Sequence, residues 1–464
     1  MEPNEVVSLW AAMREGELTG QYLANPGTRI ALADLRSASS IPGGADALEG
    51  RSVLIATQSQ LAAALCLVEL DGVARRLVIC PPDLVAENIP AVINDAEVDA
   101  IVSDREQGFF PEIGGVDYLR WTSTLEKTGP RAVGSRQTEW TLFTSGTTGT
   151  PKMVLHTLSG LAGAIKPVSA QEPRRVWATF YDMRRYGGMQ IFLRAMLGNC
   201  SFILSSAGEP PNDHLERLGE GGVTNISGTP SHWRRVLMSP AARKMAPSYV
   251  RLSGEIADQG VLDGLRALYP EAQVVHAYAS TEAGVGFEVH DRLEGFPASY
   301  VGAHDREVEL KAQGGTLWIR SNRRALRYLN KGSLTIDEDG FVDTGDLVEL
   351  RGDRYYFIGR NDGVINVGGQ KVHPEEVETI INRHPRVQMS LVRARKNPIL
   401  GAIVVAEIVQ RADGNGAQTE PADFENEIRA MCAQNLARHK VPALIKIVPS
   451  LTMTAGGKLA RNNA

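Results

Sequence analysis

From Arg51 onward the chain alternates short apolar runs with helical ones. SVLIA is a strand pattern, QLAAALCLVELDGV a helical one, RLVICP a strand again, and LVAENIPAVINDAEV a helix before DAIVSD. A second series from Val176 to Ala283 contains SFILSS, GVTNISGTP, YVRLSG and AQVVHAYAS. Strands separated by helices on this spacing need right-handed crossovers, so parallel-type sheets flanked by helices are the predicted core of an α/β fold. The runs of the second series close on Gly, Ser or Thr, where ligand loops gather at the carboxyl ends of parallel strands.

The character changes near Val301. EVELKAQGGTLWIRS and GFVDTGDLVELRGDRYYFIGR are hairpin patterns with glycine turns and predict a small barrel-like subdomain. Beyond Arg360, HPEEVETIINRH opens a helix with Pro and acidic residues in its first turn, followed by the strands SLVRAR and GAIVVAEIV, a helix from about Ala422, and KIVPS. The predicted division is a large domain over 1–359 and a small, mobile α+β domain over 360–464, with a hinge at 360–363.

Composition sets the outer limits. A chain of 464 residues, 43% hydrophobic, can bury at least two cores. Its net charge of −5 argues against general affinity for nucleic acid or an anionic membrane. No apolar run reaches the roughly 18 residues of a spanning helix, and MEPNEVVSLW lacks the layout of a signal peptide. Cys66, Cys80, Cys200 and Cys432 stand far apart in apolar contexts, as reduced core residues do. A cytoplasmic protein is the expectation.

One stretch resists any core reading: TLFTSGTTGTPK, residues 141–152. Gly146 and Gly149 leave backbone N–H groups unhindered, and Thr144, Ser145, Thr147, Thr148 and Thr150 add hydroxyls. Such a nest of donors suits phosphate oxygens, and Lys152 adds a point charge. A polar turn is the plain alternative. A Walker A loop is excluded, because Pro151 precedes Lys152 and Met153 follows it.

TSGTTGTPK resembles the phosphate loop of the adenylate-forming superfamily, which includes acyl- and aryl-CoA ligases, nonribosomal adenylation domains and luciferases. Four further stretches resemble that family's motifs in order. HAYASTEAG (276–284) resembles its aromatic-Gly-x-Thr-Glu motif, with Ala279 where Gly is common; DTGDL (343–347) its Thr-Gly-Asp motif; and GRNDGVINVGGQKVHPEEVE its hinge. LTMTAGGKLAR resembles its terminal Gly-Lys loop.

The resemblance implies roles. Glu282 would offer Mg²⁺ a hard oxygen, and Thr281 would bond the α-phosphate. Asp346 and Arg360 would hold the ribose, with Ser253, Gly254, Glu255, Ala277, Tyr278, Ala279 and Ser280 completing the nucleotide site. Asp362 would be the hinge, and Gly368, Gly369 and Lys371 would line the coenzyme A path. Lys458 would bridge the substrate carboxylate and the α-phosphate, sharing the charge with Lys152. The acyl pocket would draw on Tyr181, Arg185, Tyr186, Gly187, Ser227, Trp233, Tyr278 and Gly284.

The sequence departs from the family where a Pro-x-x-His is frequent. Asp182-Met183 stand there instead, and Arg184 and Arg185 follow as candidates to read a second polar group on the acid. The implied activity is ATP-dependent activation of a carboxylic acid through an acyl-adenylate, then transfer to coenzyme A. A separate carrier protein as acceptor and a non-catalytic AMP sensor remain as alternatives. A homodimer is the family-level expectation.

Overall fold

The computed structural model describes residues 8–14, 18–110, 112–131, 134–144, 151–166, 174–303, 307–330, 333–397, 401–411, 421–454 and 457–461. Two large sheets face each other across a layer of helices. One has eight strands, in the order Gly284–Val289, Gln273–Ser280, Tyr249–Ser253, Asn225–Gly228, Val176–Thr179, Ser201–Ile203, Tyr22–Asn25 and Thr28–Ala31. Its six central strands run parallel except where Gly284–Val289 and Thr28–Ala31 turn back at the edges. The other has seven strands, with Arg76–Ile79, Ser52–Ile55 and Ala100–Ser103 parallel at its centre.

The layer between them explains the apolar helices. Every residue of Gln60–Leu70 is buried, so this helix has no polar face to show water, and its Ala run lets both sheets approach. It shares one core with Met189, Ile191, Phe192 and Met196 of the helix Tyr186–Leu197, with Val53 and Leu77 of one sheet, and with Trp177 and Phe202 of the other. A second core, around Ile226, Val250, Leu252 and Trp233, seals the outer face of the eight-stranded sheet against the helices Pro230–Val236 and Gln259–Leu268.

The predicted barrel-like region is a five-stranded antiparallel sheet, ordered Phe296–Pro297, Arg354–Arg360, Val342–Arg351, Thr316–Ser321 and Val308–Gln313. Past Arg360 come one short turn, Asn361–Gly363, and a hairpin, Ile365–Val367 with Gln370–Val372. A three-stranded sheet then packs on the helices Pro374–Ile381 and Pro421–Asn435 around Phe424, Ile428 and Val404. All four cysteines are buried and free. Among the described residues no helix is long and apolar enough to cross a membrane.

Candidate active site

The carboxyl ends of the parallel strands converge where the sequence places its motifs. Ser253 pairs with Ala277 at the ends of adjacent strands, and Thr281 and Glu282 form the turn between Gln273–Ser280 and Gly284–Val289. The strands Glu139–Thr144 and Lys152–Thr157 pair with Thr144 opposite Lys152. Ser145, Gly146, Thr147, Thr148, Gly149 and Thr150, which would cradle the phosphates, lie outside the described residues.

Two residues that the motifs do not single out brace this end. The short strand Arg327–Tyr328 adds beside Lys152–Thr157. Tyr328 donates to Glu282 Oε1 at 3.2 Å, and Lys152 Nζ lies 5.2 Å from the Tyr328 ring centroid. Burial and the Glu282 charge both hold this phenol protonated, so it stays a donor. Asn330 accepts from the Met153 N–H at 3.0 Å and donates to the Pro151 carbonyl at 3.0 Å, fixing the outgoing limb of the phosphate loop. The sequence signal for both was faint: a short polar run, RYLN, with no glycine pattern.

On the ribose side Tyr278 sits at a strand irregularity between Tyr278 and Ala279. Its ring stacks between Phe287 (5.7 Å) and Phe357 (5.1 Å), and its hydroxyl donates to Asp346 Oδ2. Asp346 pairs in register with Arg360, whose guanidinium donates to Oδ1 at 3.1 Å. Burial first, then the Asp346 charge, keeps Tyr278 protonated. A half-buried carboxylate with both oxygens oriented in this way is ready to accept from a diol. The Tyr278 hydroxyl is thus directed at Asp346.

The terminal loop is docked. Gly457 O accepts from Thr229 Oγ1 at 2.8 Å, and the Leu459 N–H donates to Glu255 Oε1 at 3.1 Å. The other oxygen of Glu255 accepts from the Ser231 N–H at 2.9 Å. Gly457 has φ +72° and lies flush on the His232 ring; a Cβ there would stand 1.8 Å from the imidazole. His232 Nδ1 accepts from the Thr229 N–H in a capping box, and burial, Arg235 and His214 press its pKa down to about 3, so the ring is neutral. The result puts Lys458 over Gly254: a Cβ on that glycine would lie 3.4 Å from Lys458 Cε and 4.0 Å from Nζ. The hinge and the hairpin are elsewhere. The turn Gly368–Gly369 and Lys371 are exposed, with Gly369 N–H bonded to Asn366 at 2.9 Å.

The acyl side differs most from the sequence expectation. Tyr181 is buried and donates to the Ser253 carbonyl at 2.7 Å. Gly187 lies against its ring, and Tyr186 is buried at the start of its helix. Arg184 reads nothing on a substrate: its guanidinium is 2% exposed and is spent on Asp182 and on the carbonyls of Thr57 and Gln58. Arg185 pairs with Asp83. Trp233 is core, fully buried on the outer face of the sheet with its indole N–H on the Arg251 carbonyl at 3.1 Å. Gly284 (φ +85°) makes no room for an acid, since a Cβ there would strike the Arg323 carbonyl at 2.5 Å. Ser227 does line the inner face, in register with Arg251. The sequence reading passed over Arg194, Arg251, Arg323 and Glu288, which meet there; their signal was the strand and helix periodicity that turns them inward. A separate cleft of about 390 Å³, lined by Phe180, His214, His232, Arg235 and Gln388, lies behind His232 and holds none of the nucleotide-side residues.

The family models of two AMP-binding enzyme modules match this chain: "AMP-binding enzyme" over residues 60–329 and "AMP-binding enzyme C-terminal domain" over 376–458. The chain is 25% identical to a 4-chlorobenzoate–CoA ligase of Arthrobacter sp, over 97% of its own length and 92% of the relative's. It is 24% identical to surfactin synthase subunit 2 of Bacillus subtilis (strain 168) over 82% of its length, but spans only 12% of that protein. The crystal structure of the anthranilate CoA ligase AuaEII in complex with anthranoyl-AMP superposes with a TM-score of 0.76 at 16% identity, covering 97% of this chain and 95% of that one, which shows a shared fold.

Proposed function

The chain belongs to the AMP-binding enzyme family, and from that premise we propose that it is an AMP-forming acid–thiol ligase. In the first step a carboxylate oxygen bonds to the α-phosphorus of ATP and the bond to the bridging β-oxygen breaks, releasing pyrophosphate. In the second a thiol sulfur attacks the acyl carbon, its proton is lost, and AMP leaves. The observation that carries this reading is the docked loop, which holds the Lys458 ammonium over Gly254, just past the end of the strand Tyr249–Ser253.

The work of the chain's own residues is positioning and charge. Asp346, oriented by Tyr278 and Arg360, fixes the ribose. Lys458 and Thr281 meet the charge that builds on the α-phosphate, and Lys152 that on the outer phosphates. Among the described residues no three metal-binding side chains cluster. A lone carboxylate fits Mg²⁺ that keeps its waters and phosphate oxygens, so Glu282, steadied by Tyr328, is the residue to hold it. That ion would neutralise phosphate charge. Thioester formation needs Lys458 withdrawn and Gly368–Gly369 brought in, by rotation at Asp362.

The acceptor is coenzyme A; the hinge VGGQKVHPEEVE resembles that of free-standing ligases more than that of carrier-linked domains. Carboxylate-dependent pyrophosphate exchange tests the reading. Exchange with some acid in a broad panel, followed by thioester formation on free coenzyme A, is expected. Exchange with transfer only to a carrier protein would move the assignment to a stand-alone adenylation enzyme, and no exchange at all to a nucleotide sensor.

A further inference from the structure

The space between the helix Tyr186–Leu197 and the eight-stranded sheet is oversupplied with hydrogen-bond donors and positive charge. Tyr186, Gln190 and Arg194 recur every four residues along one stripe of the helix. Opposite them, Tyr249, Arg251 and Ser253 alternate onto the inner face of their strand. Glu288 Oε1 accepts from Arg194 Nη2 at 3.2 Å and from Arg251 Nε at 3.1 Å, while Tyr249 donates to its other oxygen at 3.4 Å and His290 approaches that oxygen at 3.7 Å. One carboxylate thus serves two guanidiniums. Arg323 leans in from the neighbouring turn, reaching the Val285 carbonyl at 3.4 Å and the exposed Glu307. All three guanidiniums act electrostatically on the buried Tyr186 phenol, as does the Glu282 carboxylate in the opposite sense.

The bonds left over point the same way. The donors Arg251 Nη2, Arg194 Nε and Arg323 Nε are buried without a protein partner, and beside them so are the acceptor Gln190 Oε1 and both ring nitrogens of His156. Arg251 is 4% exposed and His156 fully buried, its ring 5.8 Å from that of Tyr186. Leaving guanidinium N–H groups unbonded in a dry interior costs far more than a surface mismatch, unless a ligand completes them. The ligand that completes a set of cationic donors is an anion.

We propose that the acid activated here carries a second anionic group, a carboxylate, seated on the unbonded Arg194 Nε and Arg251 Nη2 beside Tyr186, with Arg323 at its outer edge. This rests on the ligase reading for the position of the first carboxylate. Ser253 adjoins Gly254, over which Lys458 stands, and Arg251 is two residues back on the same strand face. Arg251 and Gly254, three residues apart, are therefore about 10 Å apart along the backbone. That spacing selects a compact diacid, a short aliphatic dicarboxylate or a benzenedicarboxylate, over a long acyl chain.

The test compares matched pairs, butyrate with glutarate and benzoate with phthalate or isophthalate, by pyrophosphate release and by melting shift in the presence of AMP. A preference for one diacid of at least about tenfold in kcat/KM over its monoacid is expected. Arg194→Gln should narrow that ratio by about 10–100-fold. Arg323→Gln, whose partner Glu307 is exposed, should narrow it less and supplies the reading if Arg194→Gln does not fold. Monoacids favoured over diacids, an unchanged ratio in a folded variant, or diacids that neither raise Tm nor release pyrophosphate would each overturn the proposal. Diacids that raise Tm without pyrophosphate release would leave the anion site standing and defeat the ligase reading instead.

Discussion

The nucleotide side and the acyl side of the cleft share two strands, Gln273–Ser280 and Gly284–Val289, yet they are finished differently. On the nucleotide side the polar groups satisfy one another: Tyr278 and Arg360 hold Asp346, Tyr328 holds Glu282, and Asn330 ties the outgoing limb of the phosphate loop. On the acyl side, buried donors and acceptors outnumber their partners. A site whose ligand is the same in every relative can be pre-organised by its own bonds. A site whose ligand varies must leave bonds for that ligand to make.

The largest expected effect lies where the two sides meet. Lys458→Ala should lower acid-dependent pyrophosphate exchange by about 10²–10³-fold while thioester formation from a supplied adenylate persists, because the ammonium serves only the first transition state. Equal loss of both half-reactions would erase the division of labour.

Next is an acid sensitivity that belongs to the acyl side. Burial presses His156 down to about 4, whereas an unfolded histidine titrates near 6.5. Between those values the unfolded chain takes up a proton that the folded one refuses, so stability present near neutral pH is lost as pH falls. His156→Leu should remove up to about 3 kcal/mol of the loss measured by urea unfolding across that window. An unaltered pH slope would mean that the ring is not held neutral. His232, neutral for the same reason, continues the decline to lower pH.

Smaller changes probe the satisfied side. Tyr278→Phe removes a hydrogen bond to a charged carboxylate and should raise KM for ATP about tenfold with little change in acid preference. Arg360→Gln should cost at most about 1 kcal/mol of ATP affinity, since its side chain is half exposed and its pair with Asp346 is screened. If Arg360→Gln proved the costlier of the two, the ring stack at Tyr278 would not be what orients Asp346.

The contrast also explains what the sequence disclosed. Backbone-driven features were readable: the turn bearing Thr281–Glu282, the Asp346 hairpin, and the two parallel-type sheets with a distinct C-terminal unit. These depend on residues close together in the chain. The acyl side depends on where strand and helix periodicity turns single side chains, and that needs the register. Arg184 and Arg185 were attractive because they adjoin Tyr186 in sequence, but Asp182 and Asp83 engage them. Arg194 and Arg251, 57 residues apart, meet only because Glu288 gathers them. Trp233 was drawn to the wrong face for a similar reason, its helix packing outside the sheet rather than within the cleft.

Glu255 carries a consequence of another kind. One carboxylate joins the Ser231 N–H of the large domain to the Leu459 N–H of the small one. The catch that closes the molecule is thus separate from the ammonium that does the chemistry. With the domain rotation proposed above, each turnover releases that catch before a thiol enters, so its strength contributes to a dwell time. Shortening Glu255 to Asp would leave Lys458 in the chain and weaken the catch: a shorter dwell, more adenylate lost to water, and a faster cycle wherever opening is the slow step.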